Sequence, residues 1–206
     1  MQRKFNLIRL GALPLSLTLI TILAGSVINR VLVVELGRSN TMAALFLSIP
    51  LWVAPLRVWL GYVSDAYPLR GLRREPYLIL GAILSGVGAA LAVMLALRAE
   101  SPASAAGAVL VVTLLVYGIG RNLANNTFQA LVADLFAAGP PRSRAANLYE
   151  VVKIVGMIMG AGLVSQALRP YSPERLVSVV SVIAGLVVIF SLIAAVRQEP
   201  RTPAMQ

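Results

Sequence analysis

The sequence predicts an all-α fold: a polytopic membrane protein of six transmembrane helices. Three observations predict it. The first is composition. Of 206 residues, 58% are hydrophobic and 13% charged, with a mean hydropathy of +0.82, whereas a soluble domain is about half apolar and one-quarter charged. Second, six apolar runs each reach the roughly 20 residues that a bilayer demands of a helix. Third, the arginines crowd into alternate short loops between those runs, which is how membrane topology is written in sequence. The net charge of +10 therefore reports orientation. It does not indicate nucleic acid, because there is no basic soluble domain to bind it.

Residues 1–10 form a basic cytoplasmic tail with Arg3, Lys4 and Arg9. Span one is expected over 11–34, with Pro14 in its first turn, where a missing N–H is tolerated. No short apolar stretch with a small-residue cleavage site is evident, so this run reads as a retained span and not a signal peptide. Asn29 and Arg30 lie in its far third, ahead of Glu35. Span two, 42–63, contains Pro50 and Pro55; each removes a backbone hydrogen bond, so a bend is expected. Span three, 77–97, carries Gly81, Ser85 and Ala89 at four-residue spacing, a stripe that lets another helix approach closely.

Span four is expected over 107–135, and its second half is the most polar stretch of any helix. There Asn122, Asn126 and Gln129 share one face with Asn125 beside them. Such a face is costly in lipid and must point into the bundle or a wet cavity. Residues 138–144, with Pro140 and Pro141, read as a loop. Span five, 145–168, opens with Asn147, Glu150 and Lys153 and continues into Gly156-x-x-x-Gly160, another close-packing pattern. Span six covers 174–196, completing a bundle over 11–197, and 198–206 is a polar tail. With both termini cytoplasmic, that side holds Arg3, Lys4, Arg9, Arg70, Arg73, Arg74, Arg142, Arg144, Arg197 and Arg201; only Arg38, Arg98, Arg169 and Arg175 face the other way. The asymmetry supports this orientation.

Four constellations stand out. Asp65, where span two leaves the membrane, and the arginines just after it form either a cytoplasmic latch or a loop staple; the carboxylate can cap a neighbouring helix N-terminus or pair with arginine. Arg57, Arg121, Asp134, Glu150 and Lys153 make an intramembrane charge set, either a gate or a static ion-pair network. Glu150 and Lys153 are three apart and can simply pair with each other. Asn29 and Arg30 with Glu35 form a polar site on the far side, or Arg30 snorkels to the interface. The amides Asn122, Asn125, Asn126 and Gln129 either line a central cavity or bond between helices. No carboxylate falls near the middle of a predicted span, which argues against a proton relay. Trp52, Trp59 and Tyr62 read as core or interface anchors.

The chain contains no cysteine and no histidine. Disulfides, Cys/His metal sites and histidine catalysis are therefore excluded. No G-x-S-x-G, P-loop or metal-ligand spacing occurs, so no enzyme is expected.

Gly61 and Asp65, followed by Arg70, Gly71, Arg73 and Arg74, resemble the G-x-x-x-D…G-R-R/K loop between the second and third spans of the major facilitator superfamily. More particular stretches are Asn29-Arg30 with Val34-Glu35-Leu36-Gly37, Ala54-Pro55-Leu56-Arg57-Val58-Trp59, Arg74-Glu75-Pro76-Tyr77, Ala130-Leu131-Val132-Ala133-Asp134 and Ser172-Pro173-Glu174-Arg175-Leu176. These resemble the PucC/LhaA branch, along nearly the whole chain but corresponding only to the N-terminal half of a family member. The resemblance implies half of a major facilitator fold, with spans one to three and four to six as inverted repeats. It implies assembly of light-harvesting complexes, with (bacterio)chlorophyll as cargo or light-harvesting subunits as partners, in a bacterial inner or intracytoplasmic photosynthetic membrane. In a facilitator the cavity lies between two halves. The small-residue stripes and cavity wall of one half would then face lipid unless a second six-span half or a homodimer partner covers them. The alternatives are a half-size transporter of a small solute and a truncated fragment.

Overall fold

The computed structural model describes residues 2–69 and 71–195, with side chains for 11–69 and 71–194. Arg70, Arg197, Arg201 and the 198–206 tail lie outside the described residues, as do the side chains of Arg3, Lys4 and Arg9. Six helices are long and apolar enough to cross a membrane: α1 (Gly11–Glu35), α2 (Asn40–Ala66), α3 (Glu75–Ala96), α4 (Ala105–Leu135), α5 (Pro140–Ala167) and α6 (Pro173–Ala194). The chain is a multi-pass membrane protein. Among the described residues there is no strand, only an isolated bridge between Leu69 and Leu72.

The elements follow from their ends and their breaks. The first helix begins at Gln2, so Pro14 lies inside it and not in a first turn. It ends in π-helical turns over Leu23–Val27 and Arg30–Glu35. Ser39 caps α2 by accepting the Met42 amide, and the helix is interrupted at Val53 and Ala54–Leu56, beside its two prolines. Ser104 caps α4 through the Gly107 amide. The expected 138–144 loop is mostly helix. Pro140 and Pro141 open α5, positions where the absent N–H is one of the helix's orphan donors and the fixed φ is already helical.

Around the bundle the neighbours run α5, α1, α6, α3, α4, α2. The α3–α4 seam is the most extensive, and α1 also touches α3 through its π-helical turn. α4 and α5 are consecutive in sequence but barely meet. The core lies where α1, α3, α4 and α6 converge, around Leu13, Ile20, Leu23, Leu78, Val93, Leu114, Leu176 and Val187. Of the apolar stretch of α3, 56% is buried; for α5 the figure is 17%. α5 thus lies at the margin, showing Ile154, Ile158 and Leu163 outward. Trp52, Trp59 and Tyr62 of α2 are also exposed and are not core residues; the buried positions of that helix include Phe46, Ile49, Val53 and Leu60.

The small-residue stripes are covered within the bundle and do not face outward. A Cβ on Gly81 would stand 2.5 Å from the Ala124 amide nitrogen, and one on Gly120 would stand 2.5 Å from that of Ser85. Gly156 and Gly160 rest on Leu15 and Ile22 of α1. The helices of this one chain already supply the close partners that the stripes need.

Candidate functional site

The α3–α4 contact sets the depth of everything polar. Gly120 meets Ser85, about 15 Å along α3 from Glu75 at 1.5 Å per residue. The whole of α3 is about 33 Å long, close to the roughly 30 Å of a bilayer's hydrocarbon. Arg121, next to Gly120, therefore sits near mid-membrane.

At that level a polar cavity of about 350 Å³ opens among α1, α2, α4 and α5. Its lining includes Thr18, Thr21, Arg57, Arg121, Asn122, Asn125, Gln129, Tyr149, Glu150 and Lys153, and neither α3 nor α6 contributes. Asn122, Asn125 and Gln129 are three and four residues apart, so one helical face carries all three. Asn122 bonds back to the Gly118 carbonyl at 3.0 Å. Asn125 accepts the Tyr149 hydroxyl at 3.0 Å, a bond that ties α4 to α5. Tyr149 stacks on Phe128 with centroids 5.0 Å apart, and the Lys153 ammonium lies 5.4 Å from its ring centre. Lys153 is paired with Glu150. Thr18 donates to the Lys153 carbonyl at 3.4 Å.

Asn126 is not in the cavity lining. Its Oδ1 accepts from Arg57 Nε and Nη2 at 3.1 and 3.0 Å, and its Nδ2 donates to the Arg57 carbonyl at 3.0 Å. One amide thus grips both ends of Arg57 where α2 is broken. The rotation of α4 that gives the Asn122 face to the cavity turns Asn126 toward α2.

The charge set is not one network. Asp134 pairs with Arg74 at 3.1 Å, and Arg74 also pairs with Asp65 and reaches the Ser64 hydroxyl at 3.3 Å. The Arg74 side chain is 13% exposed and stands between two carboxylates more than half exposed. This junction ties the end of α2, the start of α3 and the end of α4. Asp65 therefore meets a guanidinium; α3 has no side-chain cap. Gly71, at φ +77°, turns the loop where Leu69 and Leu72 exchange backbone bonds of 2.9 and 3.0 Å. Arg73 is exposed. A Cβ on Gly61 would meet nothing within 4 Å.

Arg57 binds a neutral amide, and the Arg121 side chain has no hydrogen bond or ion pair among the described residues. Glu150, placed near a span end by sequence, is close to the middle of α5 because that helix begins at Pro140. An arginine at mid-membrane costs about 2.5–3.5 kcal/mol on insertion scales, so residues in this position belong on a cavity and not on a lipid-facing surface.

Asn29 and Arg30 lie apart from this cavity. Arg30 is about 18 Å along α1 from Thr18 at the α-helical rise. Its Nε bonds Glu35 at 2.9 Å. In an α-helix residues five apart point about 140° from each other. Here the turn is π-helical, with the Leu36 amide bonded five residues back to Val31, and this wider winding brings the two side chains to one side. The Arg30 guanidinium lies 5.8 Å from the Tyr171 ring centre. Burial raises the Tyr171 pKa; Glu35 adds to the shift and Arg30 opposes it. Asn29 is exposed.

Comparison with known proteins adds a family match. A family model described as PUCC protein matches residues 27–206. The chain is 31% identical over 204 residues to an uncharacterized protein in the puhA-bchM intergenic region of Rhodobacter capsulatus, covering 96% of this chain and 43% of that protein. It is 30% identical to Protein PucC of Rhodovulum sulfidophilum, covering 95% of this chain and 45% of the relative. It is also 30% identical to a Rhodobacter capsulatus protein named bacteriochlorophyll synthase 44.5 kDa chain, with 91% and 43% covered. The chain spans less than half the length of these relatives. No solved structure matches it.

Proposed function

The chain belongs to the PUCC protein family, and from that premise we propose that it assists assembly of light-harvesting complexes in a bacterial photosynthetic membrane. Its role is to hold bacteriochlorophyll, or a light-harvesting subunit, against the polar face of α4. The observation that carries this reading is the mid-membrane cavity lined by Asn122, Asn125 and Gln129 in an otherwise apolar bundle. Neutral amides suit a carbonyl-rich macrocycle: their N–H groups donate to ring carbonyls, and their oxygens are weak ligands for magnesium. With no histidine in the chain, a pigment held here takes an Asn, Gln, Asp or Glu side chain, a backbone carbonyl or water as ligand, and these amides are the candidates on the polar face of α4. The name of one relative, bacteriochlorophyll synthase 44.5 kDa chain, supports the pigment context.

In this reading the six helices are half of a facilitator-type arrangement. The α2–α3 junction at Asp65, Arg74 and Asp134 is the cytoplasmic latch, and both termini lie on that side. A second six-span unit covers the open face of α2 and α5. The test is an absorbance spectrum with native mass on protein purified in mild detergent from a pigment-producing host. Stoichiometric far-red absorbance, lost when Asn122→Leu and Gln129→Leu are combined, supports pigment holding. Neither of those side chains bonds another helix, so the double variant keeps its fold. A folded, colourless protein overturns pigment holding, and co-purification of antenna subunits then reads the subunit-binding form of the proposal.

A further inference from the structure

The mid-membrane cavity presents three cationic side chains, Arg57, Arg121 and Lys153, against one carboxylate, Glu150. Glu150 is taken by Lys153. Arg57 spends Nε and Nη2 on one neutral amide oxygen, leaving Nη1 without a partner among the described residues. Arg121 has no ion-pair partner there at all. Cationic groups held at this depth are in place to meet an anion, and guanidinium forks match planar or tetrahedral oxyanions in two-point contacts.

The cavity does not end at these groups. A second cavity of about 300 Å³ shares Gln129, Tyr149 and Glu150 with it and runs between α4 and α5 past Phe128 and Val132 toward Arg142. The two helices barely meet along that seam. A volume of this size lies at the small end for a ligand pocket, which suits a headgroup whose apolar remainder extends along the cleft.

We propose that this cavity is a binding site for the anionic headgroup of an amphiphile, a carboxylate or a phosphate. Arg121 and Arg57 receive the anion, and the apolar tail lies in the α4–α5 cleft. The site goes beyond pigment holding and does not require it. The cations are distinct from the amides assigned to a macrocycle, and a colourless protein still has the site.

The experiment is native mass spectrometry on the delipidated 206-residue chain with four probes: oleate against methyl oleate, and dioleoylphosphatidylglycerol against dioleoylphosphatidylcholine. The expected result is that at least one charged probe is retained about tenfold over its uncharged or zwitterionic counterpart, and that Arg121→Gln abolishes the preference while Arg121→Lys restores part of it. Preference within the oleate pair alone identifies a carboxylate amphiphile; preference within the lipid pair alone identifies a phospholipid headgroup. Equal retention in both pairs by the wild type overturns the proposal, and that comparison needs no variant. So does an undiminished preference in a folded Arg121→Gln protein. Charge-independent retention alongside far-red absorbance would sink this inference and leave the pigment reading standing.

Discussion

α4 has two opposite faces over the same dozen residues. Toward α3 it presents Tyr117, Gly120 and Ala124, packed so closely that backbone meets backbone. Toward the cavity it presents Arg121, Asn122, Asn125 and Gln129. The first face leaves no room for one added carbon; the second faces open space. The comparison teaches that the dry face positions the wet one. Backbone contact with α3 fixes the rotation and level of α4, and that rotation decides which amides see the cavity and which, like Asn126, turn aside to hold α2.

The largest effect is expected on the dry face. Gly120→Ala puts a Cβ 2.5 Å from the Ser85 nitrogen and 2.8 Å from the Gly81 carbonyl oxygen. Backbone cannot swing aside as a side chain can, so α3 and α4 must part. Overpacking costs about 1–3 kcal/mol, and this site belongs at the upper end. Thermal unfolding in detergent should show a clear drop in midpoint, and an unchanged midpoint would break the claim that this seam sets the fold.

On the wet face, Asn125→Ala removes the α4–α5 bond to Tyr149, while Arg142 of α5 still donates to the Ala133 carbonyl at the end of α4. Bonds of this kind within membranes average about 0.6 kcal/mol. The expected midpoint change is small, but crosslinking between α4 and α5 should loosen. Gly156→Ala sharpens the comparison from α5. Its Cβ would crowd the end of Leu15, at 2.9 Å, which can change rotamer, and would meet Thr18 at an ordinary 3.8 Å. A shift below that of Gly120→Ala is expected, although both glycines lie at helix–helix contacts; equal shifts would mean that the contact and not the contacted atom decides.

Much of this was legible in the chain. The number of spans follows from apolar runs, and the amides of α4 follow from helical spacing. The start of α5 was not legible, because two prolines suggest a loop until they stand at a helix's first positions. That displacement carried Glu150 and Lys153 from a span end to the middle of the cavity wall. The stripes at Gly81 and Gly156 were legible as contact surfaces, but the partners that cover them were not.

Sequence by itself determined that the chain crosses a membrane six times, that one helix carries a polar face, and that a charged turn joins α2 to α3. These are local properties, set by about 20 consecutive residues and the period of one helix. Only the tertiary structure decided that Asp134 joins Arg74 and not Arg121, that Asn126 grips Arg57, and that Arg121 is left facing a cavity. Such pairings depend on the relative depth and rotation of helices far apart in sequence. Those are fixed where glycines let two backbones touch, and no single stretch of the chain contains both sides of that contact.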